Sequence, residues 1–209
     1  MRNCFLLLSI LGSSLVSTAQ NHKNELGLLI GGTLTPSLST EAGAKVDFSS
    51  GIAFQADYAH RLLKKEPAAL WLEFPVVASP SVGNSSSDIN LPKENATFFA
   101  TPSFRVNFAP QRTFSPWLSF GGGVGWYQQA NRLISGAPRT LGERNTVRGT
   151  LQWGGGMDIA TPVKVKFPIG LRAEIRDFYT LGTSKFISPI RDNNQHNLEV
   201  SGGIVLRFR

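Results

Sequence analysis

The sequence predicts an all-β protein, an eight-stranded antiparallel up-and-down barrel that crosses a membrane with its strands and follows an N-terminal signal peptide. Three observations carry this expectation. Apolar and polar residues alternate with period two in eight separate segments. The connections between segments are alternately short and long. Beyond the leader, no run approaches the roughly 18 apolar residues of a spanning helix.

The chain opens with Arg2, an apolar run from Phe5 to Leu11, and the small residues Ser17-Thr18-Ala19. This is the pattern of a cleaved export signal over 1–19, and the run is too short for an anchor. The barrel domain is then expected over 20–209, with no further domain, and Cys4 leaves with the signal. The full chain carries a formal charge of +7, and removal of Arg2 leaves the exported part at +6. For an exported protein that balance points to phosphate-bearing lipid headgroups rather than nucleic acid. Charged residues are 17% of the chain, below the roughly 25% of soluble domains, which suits a wall outside water.

The segments follow in order. Leu26, Leu28, Ile30 and Gly32 alternate with Glu25, Gly27, Leu29 and Gly31. Phe54, Ala56, Tyr58, His60 and Leu62 alternate with Gln55, Asp57, Ala59 and Arg61, before a polar turn at 63–67. The third segment, Ala69 to Val77, sets Leu70, Leu72, Phe74 and Val76 against Trp71 and Glu73. The fourth sets Phe98, Ala100, Pro102, Phe104, Val106 and Phe108 against Phe99, Thr101, Ser103, Arg105 and Asn107. A second turn is expected at 110–115.

Leu118, Phe120, Gly122, Val124 and Trp126 then alternate with Ser119, Gly121, Gly123, Gly125 and Tyr127. Leu151, Trp153, Gly155, Met157 and Ile159 alternate with Gln152, Gly154, Gly156 and Asp158, and a third turn follows at 161–165. The seventh segment sets Phe167, Ile169, Leu171, Ala173 and Ile175 against Gly170, Arg172, Glu174 and Arg176. The eighth, His196 to Arg209, sets Leu198, Val200, Ile204, Leu206 and Phe208 against Asn197, Glu199, Ser201, Val205 and Arg207. It exceeds the 9–11 residues a tilted strand needs to cross a bilayer. Trp71, Trp117, Pro75, Pro102 and Pro168 fit the alternation poorly and predict bulges or rim positions. Long polar loops are expected at 34–50, 79–97, 129–147 and 180–194, and the second of these reads as mobile.

Alternation alone leaves open a soluble, ligand-holding barrel with the apolar face inward. Three features favour apolar-out. The polar face is rich in glycine, which fits a narrow interior, and the apolar face carries large side chains that would overfill it. Tyr58, Trp126, Trp153, Phe74 and Phe208 lie toward strand ends, where aromatic girdles meet the interfaces. These eight segments, with the terminal Leu198-to-Phe208 strand, resemble the small eight-stranded outer-membrane barrels, the group of OmpA-like transmembrane domains and OmpX-like proteins. The resemblance implies residence in a bacterial outer membrane, contact with its lipid and lipopolysaccharide, and a monomer. It also implies that Phe208 is read by the barrel-assembly machinery, although Arg209 follows it.

With the apolar face outward, Glu25, Asp57, Arg61, Glu73, Arg105, Asp158, Arg172, Glu174, Arg176, Glu199 and Arg207 point into the lumen, six acidic and five basic. Buried charges must pair, so a salt-bridged plug is expected. Hairpin spacing places Asp57 opposite Glu73, Arg105 opposite Glu73, Glu25 beside Arg207 and Arg176 facing Glu199. The role expected is structural or surface-interacting, in envelope integrity or contact through the outer loops. A narrow channel or small hydrophobic-solute conduit is the alternative, and a lipid-modifying enzyme the second.

The enzyme reading lacks support in the residues. His22 lies in the N-terminal tail, and His60 and His196 have lipid-facing parity. The His-x-Ser pattern of the family's lipid A deacylases is absent, since Arg61-Leu62 follows His60 and Asn197-Leu198 follows His196. No metal-ligand cluster and no cofactor motif stands out, and the glycine triplets at 121–123 and 154–156 lack a following helix or lysine. Arg132, Arg139, Arg144 and Arg148 form a basic run around the 129–147 loop. A solvated loop explains it, and contact with lipopolysaccharide phosphates or another polyanion is the functional alternative.

Overall fold

The computed structural model describes residues 22–40, 43–89, 91–138, 145–161, 168–182 and 194–209. The signal segment, Arg139, Arg144, Phe167 and most of the 161–165 and 180–194 connections lie outside them. The described residues form β1 (Asn24–Leu34), β2 (Leu38–Ser39), β3 (Lys45–Phe48), β4 (Gly51–Lys65), β5 (Ala68–Ser86), β6 (Glu94–Ala100), β7 (Ser103–Phe108), β8 (Phe114–Gln129), β9 (Asn145–Ala160), β10 (Ile169–Leu181) and β11 (Asn194–Phe208). The wall runs β1, β4, β5, the β6–β7 pair, β8, β9, β10 and β11, and β11 closes on β1. All of these pairings are antiparallel, and counting β6–β7 as one strand gives eight.

One circuit of ladder partners measures the stagger. It runs Arg61, Trp71, Arg105, Ser119, Gly154, Arg176, Glu199 and Thr33, and arrives at Gly51. It leaves β4 at residue 61 and returns at residue 51, a displacement of ten residues. Closure with such a stagger requires tilted strands, and side chains then fill the interior of an eight-stranded barrel.

The side chains follow the expected parity. Ile30, Phe54, Phe104, Leu118 and Phe120 are more than half exposed on the wall, whereas Gln55, Glu73, Arg105, Gln152 and Asp158 are buried inside. A bilayer supplies the missing partner for such a wall, because closed sheets leave no unpaired edge in lipid.

Several boundaries and irregularities differ from expectation. β4 runs on to Lys65, so the first turn is confined to Glu66–Pro67. β8 begins at Phe114, inside the expected second turn. β5 extends to Ser86 and β6 starts at Glu94, so most of the supposed mobile loop at 79–97 is paired hairpin. The first long loop folds β2 against β3, and β3 against the end of β5.

Bulges lie between Arg61 and Leu63 and between Ser79 and Val82. Pro75 stands in an unbroken register opposite Asp57, where a bulge was expected. Pro102 interrupts the ladder between β6 and β7 without any slip, since Ala100 faces Val76 and Ser103 faces Glu73. Pro168 precedes β10 and its carbonyl accepts the Arg207 N–H at 3.0 Å, a rim position. Trp71 and Trp117 are not bulges. Both turn inward in the ladder and are buried.

Candidate functional site

The lumen holds most of the chain's unusual chemistry, and it is layered. Three buried guanidiniums form its middle. Arg172 donates to Asp158 at 2.7 and 2.9 Å, to Glu25 at 3.2 Å and to Asp57 at 3.4 Å. Arg176 donates to Glu174 at 2.5 Å and to Glu73 at 2.7 Å. Arg105 donates to Glu25 and stands 3.7 Å from Glu73. At the short-turn side, the half-buried Arg207 reaches Glu25 at 3.0 Å and Asp158 at 3.5 Å. Planar forks suit this sharing, because one guanidinium can serve several carboxylates at once.

An aromatic floor supports the guanidiniums. The Trp117 ring lies within 5.1–5.6 Å of the Arg176, Arg172 and Arg105 guanidinium carbons. Trp71 holds Arg105 at 5.3 Å and Arg61 at 5.7 Å. The negative ring face attracts each cation while covering it from water. Gly156 makes room for Trp117. A Cβ there would stand 2.6 Å from the indole and 2.5 Å from the Ala173 carbonyl oxygen.

Nine of the eleven expected lumen charges meet in this cluster: Glu25, Asp57, Glu73, Arg105, Asp158, Arg172, Glu174, Arg176 and Arg207. Two do not. Arg61 is half-buried at the short-turn mouth, stacked on Trp71, with no ion pair among the described residues. Glu199 is buried and neither carboxylate oxygen has a hydrogen-bond partner among the described residues.

The pairwise expectations are corrected as follows. Asp57 faces Pro75, and Glu73 faces Ala59 and Ser103. Arg105 faces Trp71. The turn centres on Glu66–Pro67 rather than Lys65, and with the bulge after Arg61 this moves the β5 partners of residues 54–61 by two residues. Glu25 does face Arg207, and Arg176 does face Glu199, but the Arg176–Glu199 ion pair is not made.

An apolar layer fills the outer half of the lumen. Phe99 and Phe178 stack at 4.6 Å, and Tyr127 meets Phe99 edge-on at 5.8 Å. The Tyr127 hydroxyl bonds Thr180 at 2.5 Å and accepts from Asn197 at 3.2 Å. Leu38, Val46 and Leu91, from the outer connections, are buried on this layer, and Phe48 and Ile134 pack against it. The alternation already places Phe99 and Tyr127 on the lumen side. Phe178 lies beyond the expected end of its segment, and the outer residues lie in stretches read as loops.

Of the basic outer run, Arg132 and Arg148 lie among the described residues. Arg148 is a strand residue of β9, and its Nε donates to the Gly182 carbonyl at 3.0 Å. Arg132 is exposed in the connection after β8. The wall histidines are hydrogen-bonded: His60 with Asn24 at 2.9 Å, and His196 with Asp177 at 2.7 Å beside the Tyr179 ring. Phe208 is the last residue of β11, opposite Asn24. Among the described residues no group of His, Cys, Asp and Glu is arranged to hold a metal ion.

No protein-family model matches the chain, and no curated protein sequence matches it. Solved structures do. The chain is similar to Neisserial surface protein A (NspA), with TM-score 0.52, 13% identity, and coverage of 88% of this chain and 97% of that one. It is also similar to the outer membrane protein OprG from Pseudomonas aeruginosa, with TM-score 0.51, 13% identity, and coverage of 91% and 99%. At these identities the likeness speaks for the fold. The chain has the fold of the small eight-stranded outer-membrane barrels, with its apolar residues on the wall and its charges inside.

Proposed function

We propose that this chain is an integral outer-membrane barrel with a lumen closed to bulk flow, and that it serves envelope integrity or surface contact rather than transport. The observation that carries the reading is the double filling of the lumen. Guanidiniums, carboxylates and Trp117 occupy the middle, and the Phe99–Phe178–Tyr127 layer occupies the outer half. An ion entering from either end meets buried side chains already engaged with one another. Lipid and lipopolysaccharide are its expected neighbours, with the terminal strand ending in Phe208 as the segment offered to the assembly machinery.

The reading is of a non-enzymatic protein. His196 and Asp177 supply a base and an orienting carboxylate, yet no Ser or Thr hydroxyl among the described residues hydrogen-bonds to His196. Single-channel recording of the purified protein in planar bilayers tests closure. The expected trace is flat, and a steady, large ohmic conductance overturns the proposal.

A further inference from the structure

The short-turn end of the lumen opens into a recess distinct from the paired charges behind it. His22, Arg61, Trp71, Asn107, Arg112 and Arg207 are among its lining, with the buried Glu25 and Asp158. Both of those carboxylates are already engaged: Glu25 by Arg105, Arg172 and Arg207, and Asp158 by Arg172 and Arg207. Two of the cations nearer the mouth are not matched in this way. Arg61 and Arg112 have no ion pair among the described residues, and the Glu66 carboxylate on the rim accepts from Gln111.

A buried donor in the lining also lacks an acceptor. The Trp71 indole N–H has none among the described residues, although the residue is only 4% exposed. Asn107, beside it in the lining, is already engaged, donating its amide to Asp158 at 3.4 Å. Partial burial first, and then Arg207, Arg209 and Arg61, hold the His22 imidazole below the ordinary range.

We infer that this recess is a binding site for a phosphate-class oxyanion, held by Arg61, Arg112 and Arg207 with the Trp71 indole N–H as a further donor. Guanidiniums hydrogen-bond tetrahedral oxyanions through paired N–H groups, and a dianion matches two unpaired cations. In an outer-membrane barrel the short-turn end faces the periplasm, so the anion reaches the site from that side. The ligand is either a soluble phosphate or the headgroup of a phospholipid in the inner leaflet.

The test is calorimetric titration of the full, detergent-solubilised chain with inorganic phosphate and, separately, with a short-chain phosphatidic acid, using sodium acetate as the weaker comparison. Saturable binding of inorganic phosphate assigns a soluble anion, and saturation by the phosphatidic acid alone assigns a headgroup. Either result supports the site. The double substitution Arg61→Gln/Arg112→Gln is expected to weaken binding at least roughly tenfold, the loss of charge-assisted hydrogen bonds. Trp71→Phe keeps a buried ring, removes the N–H, and is expected to weaken binding several-fold. Arg132→Gln, on the exposed outer connection, is expected to leave binding unchanged. Circular dichroism and heat-modifiable gel mobility show that each variant is folded. Absence of saturation by either phosphate ligand overturns the inference, as does equal affinity in the folded double variant.

Discussion

Arg176 and Glu199 stand directly opposite each other on β10 and β11, yet the guanidinium turns to Glu174 and Glu73 and leaves both Glu199 oxygens without a partner among the described residues. Ladder register thus decides which residues are neighbours, while the competition among charges decides which pair. Glu25 is the counter-case, since Arg105, Arg172 and Arg207 all converge on it.

The two glutamates therefore differ in the cost of neutralisation. Glu25→Gln removes the charge shared by three guanidiniums and is expected to destabilise the barrel by about 3–5 kcal/mol, the range for breaking buried pairs. Glu199→Gln is expected to hold or raise stability, because burying an unpaired carboxylate costs more than burying an unpaired amide. Urea midpoints in lipid vesicles at neutral pH compare them. A larger loss for Glu199→Gln than for Glu25→Gln contradicts the pairing.

Gly156 lies beneath the Trp117 ring, where an added Cβ would approach the indole to 2.6 Å. Gly156→Ala is expected to cost about 1–3 kcal/mol by overpacking and to displace Trp117. Tryptophan fluorescence and the urea midpoint should shift together. An unchanged spectrum and midpoint would mean that the ring is not held there.

Phe120 is 61% exposed on the wall of β8. If lipid covers it, Phe120→Arg costs about 2–4 kcal/mol at mid-membrane depth, whereas a water-facing site would tolerate arginine. Folding yield into vesicles, read by gel mobility, distinguishes these outcomes.

Asp47, on β3, accepts from Lys45 at 2.8 Å and from Ser37 at 2.5 Å, and these hydrogen bonds hold its carboxyl below the ordinary range. A depressed carboxyl stabilises the fold above its unfolded pKa, and that contribution fades as pH falls through the folded value. Order in β2 and β3 should therefore be constant from neutral pH to about pH 4 and weaken below it. The side chain is half exposed and salt-screened, so the effect is small. Carboxyl NMR titration of Asp47 checks the direction, and a midpoint above the ordinary aspartate value contradicts it.

The alternation of single residues made the wall legible. Period two places Phe54, Phe104 and Phe120 on one face and Asp57, Arg105 and Ser119 on the other, and burial follows that division. A one-residue slip would expose every lumen charge to lipid, so composition and parity are bound together. The Glu25–Arg207 neighbourhood was equally readable, because the first and last strands of a closed barrel must meet.

What the linear chain determined, then, was strand number, facing and the set of charges enclosed. Only the tertiary structure decided the partners. A bulge after Arg61 and a turn at Glu66–Pro67 moved Glu73 two residues from its expected neighbour, and the ten-residue stagger brought Arg105, Arg172 and Arg176 over Trp117. It also folded Leu38, Val46 and Leu91 onto Phe99 and Phe178, and left Arg61 and Arg112 around the short-turn recess. The physical reason is that parity is a local property of the extended backbone. Contacts across a lumen depend instead on stagger, bulges and charge competition, and these are set only when the sheet closes.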